Sequence, residues 1–246
     1  DQLDQIRAEM AQAQVDRALC ISTTLEEFPQ VQALTARFDN FWATVGVHPD
    51  NEGIQEPTLA DLVERAKLPK VVGIGETGLD YYRLEGRTVA DMEWQRERFR
   101  IHIQAAIDTA LPMVIHTRSS SEDTLAILKE AGQGKVRGVF HCFTENKAVA
   151  QAALDLGFHI SFSGILTFKN AADLRDVAAY VPLDRCLIET DSPYLAPAPY
   201  RGKTNSPAYV PYVAKQLAEL KRVSPEEIGR ATSHNFELLF SVPALA

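Results

Sequence analysis

The feature that most constrains this chain is a regular alternation of short apolar runs with longer segments of helical spacing. Continuous apolar runs rich in β-branched residues are typical of strands that are buried on both faces. The segments between them carry helix-forming residues, most clearly in residues 93–110 and 146–156. The alternation predicts an α/β fold with a parallel sheet. The strand candidates are residues 15–22, 41–48, 70–76, 112–116, 137–143, 159–164 and 185–191.

The number of strand candidates favours a TIM (β/α)₈ barrel whose first strand lies outside the given sequence. Such a barrel has eight parallel strands and commonly fills about 250 residues, and this chain has 246 residues. The chain begins in a helical pattern (Leu3, Ile6, Met10), so we expect strand 1 to precede it. An open doubly wound sheet needs no eighth strand and is the alternative. Because no Ser/Gly linker interrupts the pattern, residues 1–246 are interpreted as one barrel domain.

Four strand candidates end in residues of the types that bind metal ions. Glu76, His116, His141 and Asp191 stand at or near these ends. The carboxyl ends of all strands in a parallel barrel lie on one face, so the four side chains can converge. Packing alone explains them poorly, because burying ionisable groups without partners is costly. Two imidazoles and two carboxylates suit Zn²⁺, Mn²⁺ or, more weakly, Mg²⁺.

Basic residues in the predicted loops indicate an anionic substrate, although the net charge of the chain is −8. A negatively charged protein repels phosphate, so binding of nucleic acid requires a local basic patch or a metal ion. Arg118 directly precedes three serines at a predicted helix start, which suits a phosphate. For each cation alone, a solvated surface position is the alternative, and for His48 a turn residue that bonds the backbone. The substrate-binding candidates are Arg118, Lys169, Arg201, Lys203, Tyr81 and His48.

The cysteine content favours a reducing compartment, which we take to be the cytoplasm. Cys20, Cys142 and Cys186 are too few for a disulfide framework, and no C-x-x-C motif occurs. No apolar run approaches the roughly 20 residues of a membrane-spanning helix. We therefore expect no membrane partner.

Several motifs along the whole chain resemble those of the TatD family of metal-dependent hydrolases. The resemblance implies an amidohydrolase-type TIM barrel with metal-dependent deoxyribonuclease activity, often a 3′ to 5′ exonuclease, acting on DNA and possibly RNA. The motifs, in family order, are GETGLDYY (75–82), VIHTR (114–118), HCFTE (141–145), SFSGILTF (161–168) and ETDSPYLAP (189–197).

The same resemblance implies two divalent metal ions, Mg²⁺, Mn²⁺ or Zn²⁺. Glu76 would bridge them, His116 and His141 would hold one, and Asp191 would hold the other and orient the attacking water. The family begins with an H-x-H pair at the end of strand 1, which supplies two ligands for the metal that Asp191 holds. No H-x-H occurs in this sequence. One of the two sites is therefore expected to be incomplete in this chain.

Two alternative functions stay open from the sequence. The same metal ligands can activate water for attack on a carboxylic ester or amide, as in an aminoacyl-tRNA deacylase. A barrel that has lost its metals could also serve as a non-catalytic binding module. The cluster of cations favours the phosphodiesterase, and the four ligand-type residues argue against the binding module.

Overall fold

Each of the seven apolar runs contains a strand within residues 2–244, the part of the chain that the computed structural model describes. The predicted alternation of strands and helices is therefore confirmed. The strands are β1 (Ala18–Cys20), β2 (Phe41–Val45), β3 (Val71–Asp80), β4 (Met113–Arg118), β5 (Gly138–Phe140), β6 (His159–Phe162) and β7 (Cys186–Ile188).

Helices fill the segments between the strands, and their ends follow local signals. Ser224, for example, caps the last helix by accepting the Glu227 N–H at 3.1 Å, and Pro225 follows as its first residue. None of the described helices is both long and apolar enough to cross a bilayer. Within residues 2–244 the helices are α1 (Gln2–Gln12), α2 (Phe28–Arg37), α3 (Leu59–Ala66), α4 (Glu93–Thr109), α5 (Ser121–Gly132), α6 (Lys147–Asp155), α7 (Ala172–Tyr180), α8 (Val210–Lys221) and α9 (Pro225–Phe240). Short 3₁₀ turns occur at Val89–Met92, Gly164–Thr167, Leu183–Arg185 and Pro207–Tyr209.

The described residues divide into two compact units. The central unit comprises residues 19–140 and 156–158, and the terminal unit comprises the described parts of residues 1–18, 141–155 and 159–246. In the central unit β2, β3, β4 and β5 pair in parallel in that order. In the terminal unit β6 pairs in parallel with β7. The interpretation of the chain as one domain stays a prediction.

The core of the central unit lies between its strands and the helices that cover them. Helix α4 packs on β3, and its side chains Phe99 and Ile103 are fully buried. Val45 and Ile74 on the strands are equally buried. This cover on a parallel sheet explains why the strands read as continuous apolar runs. Because the helices cover the sheet, the polar side chains that could act chemically in this unit lie at the carboxyl ends of the strands.

Strand β3 continues past Glu76 as far as Asp80, which corrects the predicted strand end at Glu76. Its register against β4 shifts between Ile74 and Thr77, so that Gly75 and Glu76 lie opposite the single residue Val114. An extra residue of this kind is a β-bulge, which re-aims the side chains around it. The apolar run in the sequence ends at Glu76, whereas backbone pairing resumes beyond the bulge and continues to Asp80.

Gly78 allows β3 and β4 to lie unusually close together after the bulge. A Cβ atom at this position would lie 1.9 Å from the backbone oxygen of His116, and the φ of Gly78 is +141°. Both observations require glycine, because any side chain would push the strands apart. The close approach sets Asp80 beside Arg118 in the strand register.

The terminal unit holds β7 in place with a buried amide. Helix α9 packs on β7, and its Asn235 is only 4% exposed. The Asn235 Nδ2 group donates to the backbone oxygens of Leu183 and Cys186 at 2.9 and 2.8 Å. These hydrogen bonds fix the start of β7 and thereby the segment that carries Glu189 and Asp191 just beyond its end.

Candidate metal centre

The central cluster consists of three side chains of the central unit, Glu76, His116 and His48. The Oε1 atom of Glu76 lies 3.1 Å from His116 Nδ1 and 3.2 Å from His48 Nε2. The same two ring nitrogens are 3.2 Å apart. Neighbouring strands β3 and β4 thus bring two of the predicted ligands, Glu76 and His116, together. The carboxylate of Glu76 and the imidazole of His116 are donors that fit a divalent cation, and the His48 ring lies beside both.

Asp80 fixes the orientation of the His116 ring. The Oδ2 atom of Asp80 lies 2.9 Å from His116 Nε2. Burial would raise the pKa of Asp80, but hydrogen bonds from His116 and from the Tyr82 N–H, together with the charge of Arg118, lower it below its usual value. An ionised Asp80 can only accept, so in the neutral ring the proton of His116 is on Nε2 and the lone pair on Nδ1 faces Glu76. A carboxylate behind a histidine is the usual support of a metal-binding imidazole.

His48 presents a proton rather than a lone pair to the central cluster. Its Nδ1 accepts the backbone N–H of Asp50 at 3.0 Å, so in the neutral ring the proton is on Nε2. That N–H faces the carboxylate of Glu76 and Nδ1 of His116. Binding a metal through Nε2 would move the proton to Nδ1 and break the hydrogen bond from Asp50. We therefore interpret His48 as a hydrogen-bond donor, a role compatible with its predicted contact to substrate.

Buried groups from α4 hold the segment that carries His48. Arg98, with a side chain 2% exposed, donates through Nη1 to the backbone oxygens of His48 and Asn51, each at 2.8 Å. The Nε2 atom of His102 accepts the N–H of Val47 at 3.0 Å, and its Nδ1 donates to the Arg98 oxygen at 2.7 Å. Burial lowers the pKa of His102 to about 4. Both ring nitrogens of this neutral histidine therefore form hydrogen bonds with backbone groups.

The terminal cluster consists of three side chains of the terminal unit, His141, Glu189 and Asp191. One nitrogen or oxygen of each lies within 4.8 Å of those of the other two. His141 directly follows β5, Glu189 directly follows β7, and Asp191 comes two positions after Glu189. One imidazole and two carboxylates again form a donor set that fits a divalent cation.

Glu189 supports His141 as Asp80 supports His116. Its Oε1 atom lies 3.2 Å from His141 Nδ1, and its Oε2 accepts the Cys142 N–H at 3.0 Å. Burial would raise the pKa of Glu189, but His141, Ser161 and the Cys142 N–H lower it. The ionised carboxylate therefore places the proton of a neutral His141 on Nδ1 and the lone pair on Nε2. Burial raises the pKa of Cys142 to about 12, so this neighbouring group stays a thiol.

Asp191 begins a tight turn whose backbone accepts hydrogen bonds from Asn205. Its backbone lies in the left-handed region, with a φ of +58°, and its oxygen accepts the Tyr194 N–H at 3.0 Å. Asn205 is 5% exposed and donates through Nδ2 to the oxygens of Thr190 and Tyr194 at 2.8 and 2.7 Å. A non-glycine residue keeps such a conformation only where its surroundings fix it. Asn205 supplies that constraint on both sides of Asp191.

Comparison with known proteins identifies the family. A family model described as TatD related DNase matches residues 1–241. The chain belongs to the TatD family. The uncharacterized metal-dependent hydrolase YcfH of Escherichia coli K12 is 46% identical over 243 residues, which cover 98% of this chain and 89% of YcfH. This member of the TatD family is accordingly a metal-dependent hydrolase.

Two further TatD relatives bear on activity and fold. The 3′-5′ ssDNA/RNA exonuclease TatD of Klebsiella pneumoniae is 30% identical over 245 residues, 97% of this chain and 92% of that protein. The crystal structure of YjjV, a TatD homologue of Escherichia coli K12, superposes with a TM-score of 0.90 at 29% identity. The match covers 98% of this chain and 93% of YjjV. It confirms the predicted fold class, a TIM-type α/β barrel.

In the central unit of this TatD-family chain, one substrate-binding candidate is exposed and another is buried. Arg118 is exposed, and its guanidinium carbon lies 3.6 Å from the centre of the Tyr82 ring. Tyr81 is 7% exposed, and its hydroxyl donates to Asp123 at 2.7 Å and accepts from Arg96 at 2.9 Å. Tyr81 therefore offers a substrate little surface, and its role there stays a prediction.

In the terminal unit the three predicted cations are all exposed. Arg201 lies over the ring of Phe168, with 4.0 Å between the guanidinium carbon and the ring centre. The ammonium of Lys203 lies 6.0 Å from the centre of the Tyr200 ring. Lys169 stands on the turn after the 3₁₀ segment Gly164–Thr167, and its backbone oxygen accepts from Arg175. Their contact with a substrate stays a prediction.

Sequence reasoning missed the residues that orient the predicted ligands. Glu189 stands two residues before Asp191 at the same strand end, so the argument that selected Asp191 could have selected it too. Asp80 follows Glu76 at even spacing, but only the extension of β3 makes that spacing meaningful. Arg98 and Asn205 act on backbone oxygens far away in sequence, and no local pattern reveals them.

Proposed function

We propose that this TatD-family hydrolase cleaves phosphodiester bonds of nucleic acid with two divalent metal ions, as an exonuclease acting from the 3′ end. The observation that carries the proposal is the set of exposed cations Arg118, Arg201 and Lys203. Among the described residues none of the three has a carboxylate at ion-pairing distance, although the chain carries a net charge of −8. The name of the Klebsiella pneumoniae relative also supports the proposal.

The candidate ligands follow from the ring orientations. In the central cluster, Glu76 and Nδ1 of His116 would hold a divalent ion, with Asp80 behind the ring. In the terminal cluster, Nε2 of His141 and the carboxylate of Asp191 would do so, with Glu189 behind the ring. These are the four ligands predicted from the sequence, but they are paired differently, because the family resemblance implies that His116 and His141 hold the same ion. The identity of the ions and the predicted bridging role of Glu76 stay part of the proposal.

The side chains of this chain divide the work of hydrolysis. Bound divalent ions act as Lewis acids toward phosphoryl oxygens and lower the pKa of water toward neutrality. Asp191, which Asn205 holds in its turn, accepts the proton of the attacking water. The Nε2–H of His48 and the guanidinium of Arg118 donate to phosphoryl oxygens as negative charge grows on them.

A pair of chromogenic substrates tests the reaction class. With Mn²⁺ present, the chain should hydrolyse bis(4-nitrophenyl) phosphate and lose this activity in EDTA, while 4-nitrophenyl acetate is hydrolysed no faster than in buffer. Faster turnover of the acetate would favour the ester hydrolase, and no metal-dependent turnover of either substrate would favour the non-catalytic barrel. An oligonucleotide labelled at its 5′ end should give a ladder of stepwise shortened products if cleavage begins at the 3′ end.

The variant Arg118→Ala tests whether an exposed cation of this chain binds phosphate. This variant should raise the KM for oligonucleotides and reduce the slope of log affinity against log salt concentration by about 0.7, the value for one phosphate contact on a single strand. The matched control is Arg230→Ala, which removes an exposed arginine on α9 and should change neither quantity. Equal slopes for Arg118→Ala and the unmodified chain would contradict a phosphate contact.

A further inference from the structure

A cleft of about 490 Å³ opens in the terminal unit beside the turn that begins at Asp191. It is lined by the segments 193–196 and 201–203 and by Phe168. Its volume is within the range of roughly 300–1,000 Å³ that small-ligand sites occupy. The mainly apolar lining of the cleft includes an exposed aromatic side chain and two cations.

Tyr194 supplies the aromatic surface of the cleft. It is 70% exposed, the largest fraction among the exposed large hydrophobic side chains. Within residues 2–244 no other ring stacks on it. Its backbone is nevertheless fixed, because its N–H bonds the oxygen of Asp191 and its own oxygen accepts from Asn205. An exposed ring on an anchored backbone is a surface on which a planar group can stack.

The two cations of the cleft are also held in place. Arg201 rests on the ring of Phe168 at 4.0 Å, and Lys203 lies near Tyr200, whose ring stacks on Tyr209 at 4.3 Å with an angle of 3° between the planes. Cation–aromatic contact of this kind positions a charge without neutralising it. Both cations therefore stay available for an anion.

We propose that this cleft binds the terminal nucleotide of a single-stranded nucleic acid, with the base stacked on Tyr194 and a phosphate held by Arg201 and Lys203. The inference rests on the proposed function and specifies its substrate. An aromatic ring binds any base by its face, and cations bind the backbone without reading sequence, a combination typical of sites for single strands. In a duplex the terminal base is already stacked and paired, so it would have to be separated first.

Binding of two oligonucleotides tests the stacking partner. Oligothymidylate and the same oligonucleotide with an abasic residue at its 3′ end are titrated against the full chain in EDTA, which prevents hydrolysis. The unmodified chain should bind the intact strand about 10-fold more tightly, a typical effect of one base–aromatic stack. Tyr194→Ala should abolish this ratio, and Tyr194→Phe should preserve it because the ring remains.

Matched variants separate stacking from charge and from general damage. Tyr180→Ala removes a tyrosine on α7 that already has Lys147 over its ring at 4.2 Å, and it should keep the ratio of the unmodified chain. Arg201→Ala and Lys203→Ala should weaken both oligonucleotides alike and each reduce the salt slope by about 0.7.

The outcomes distinguish this inference from the proposed function. Equal binding of the two oligonucleotides by the unmodified chain, or an unchanged ratio in Tyr194→Ala, overturns the cleft even if oligonucleotides are hydrolysed normally. Failure of the chain to hydrolyse any oligonucleotide with Mn²⁺, Mg²⁺ or Zn²⁺ overturns the proposed function instead. A ratio that falls to one only in Tyr194→Ala supports the cleft.

Discussion

The central and terminal clusters each contain a histidine backed by a carboxylate, but the two pairs are built differently. His116 and Asp80 lie on the adjacent strands β4 and β3, where backbone pairing sets their positions. His141 and Glu189 lie just beyond the ends of β5 and β7, where the Cys142 N–H and the loop hold the carboxylate. One pair depends on strand register and the other on local hydrogen bonds to a loop.

The two pairs also expose opposite nitrogens of their rings. Asp80 takes Nε2 of His116 and leaves the lone pair on Nδ1, whereas Glu189 takes Nδ1 of His141 and leaves the lone pair on Nε2. The supporting carboxylate, rather than the histidine itself, therefore determines which nitrogen can bind a metal. This difference can be tested by mutation.

The largest effect is expected from removing either ring. His116→Ala and His141→Ala should each lower metal-dependent turnover of bis(4-nitrophenyl) phosphate by about 1000-fold, since a metal contributes several kcal/mol to stabilising the transition state. Circular dichroism should show a folded chain, because both rings are partly exposed rather than in the core. Turnover near that of the unmodified chain in either variant would contradict the assignment of that ligand.

An intermediate effect is expected from the supporting carboxylates. Both carboxylate oxygens of Asp80 and both of Glu189 accept a hydrogen bond. In Asp80→Asn and Glu189→Gln one of these oxygens is replaced by an amide nitrogen, which cannot accept, so one hydrogen bond is lost. Each variant should lose about 10- to 100-fold in metal affinity, the usual cost of losing such a support. A titration with Mn²⁺ measures it. Asp61→Asn, on the exposed cap of α3, is the control and should bind metal normally.

A smaller effect distinguishes the two ring nitrogens. The amide oxygen of asparagine can take about the place of Nδ1, and that of glutamine about the place of Nε2. His116→Asn and His141→Gln should therefore retain about 10-fold more metal affinity than the exchanged variants, His116→Gln and His141→Asn. If the exchanged variants bind metal better, the ring orientations described above are wrong.

The smallest effect on turnover at neutral pH is expected from His102, which has backbone partners instead of a carboxylate. Its folded pKa of about 4 lies below the unfolded value of about 6.5. The unfolded chain therefore binds the proton first as the pH falls. The stability that neutral His102 contributes is complete above pH 6.5 and decreases toward pH 4, by about 3 kcal/mol in total.

His102→Gln preserves an acceptor for Val47 and a donor to Arg98 without a titrating ring. Its free energy of unfolding, measured in urea at pH 7 and pH 4.5, should fall less than that of the unmodified chain. The same fall in both proteins would show that other groups cause the acid sensitivity of this unit.

The strands and the four candidate ligands could be predicted because both leave local signals. A strand buried on both faces needs a continuous apolar run, which the sequence shows seven times. A polar residue marks the point where such a run stops, and this selected Glu76, His116, His141 and Asp191, although β3 continues to Asp80 and β4 to Arg118. The reasoning needed only the neighbours of each residue in sequence.

The pairing of the supporting carboxylates with their histidines could not be predicted, because the partners are far away in sequence. Glu189 reaches His141 across 48 positions, and Asp80 reaches His116 across 36. Strand register determines which ring nitrogen a supporting carboxylate contacts. The bulge in β3 changes that register and leaves the apolar pattern of the sequence unchanged. The tautomer of His48 likewise depends on one backbone N–H, that of Asp50.

Because β3 has a bulge at Gly75 and Glu76, making this strand regular is a poor way to stabilise the sheet. A protein engineer who deleted Gly75 would restore regular two-residue alternation and a more uniform ladder, changes that usually favour folding. The same deletion would leave Glu76 as the single residue opposite Val114, and the bulge would no longer aim its side chain. A side chain would then stand near the place of Gly75, where a Cβ atom would lie 2.6 Å from the backbone oxygen of Val114, and the central cluster would lose its carboxylate. In this chain the irregularity of one strand is what brings Glu76 to His116 and His48.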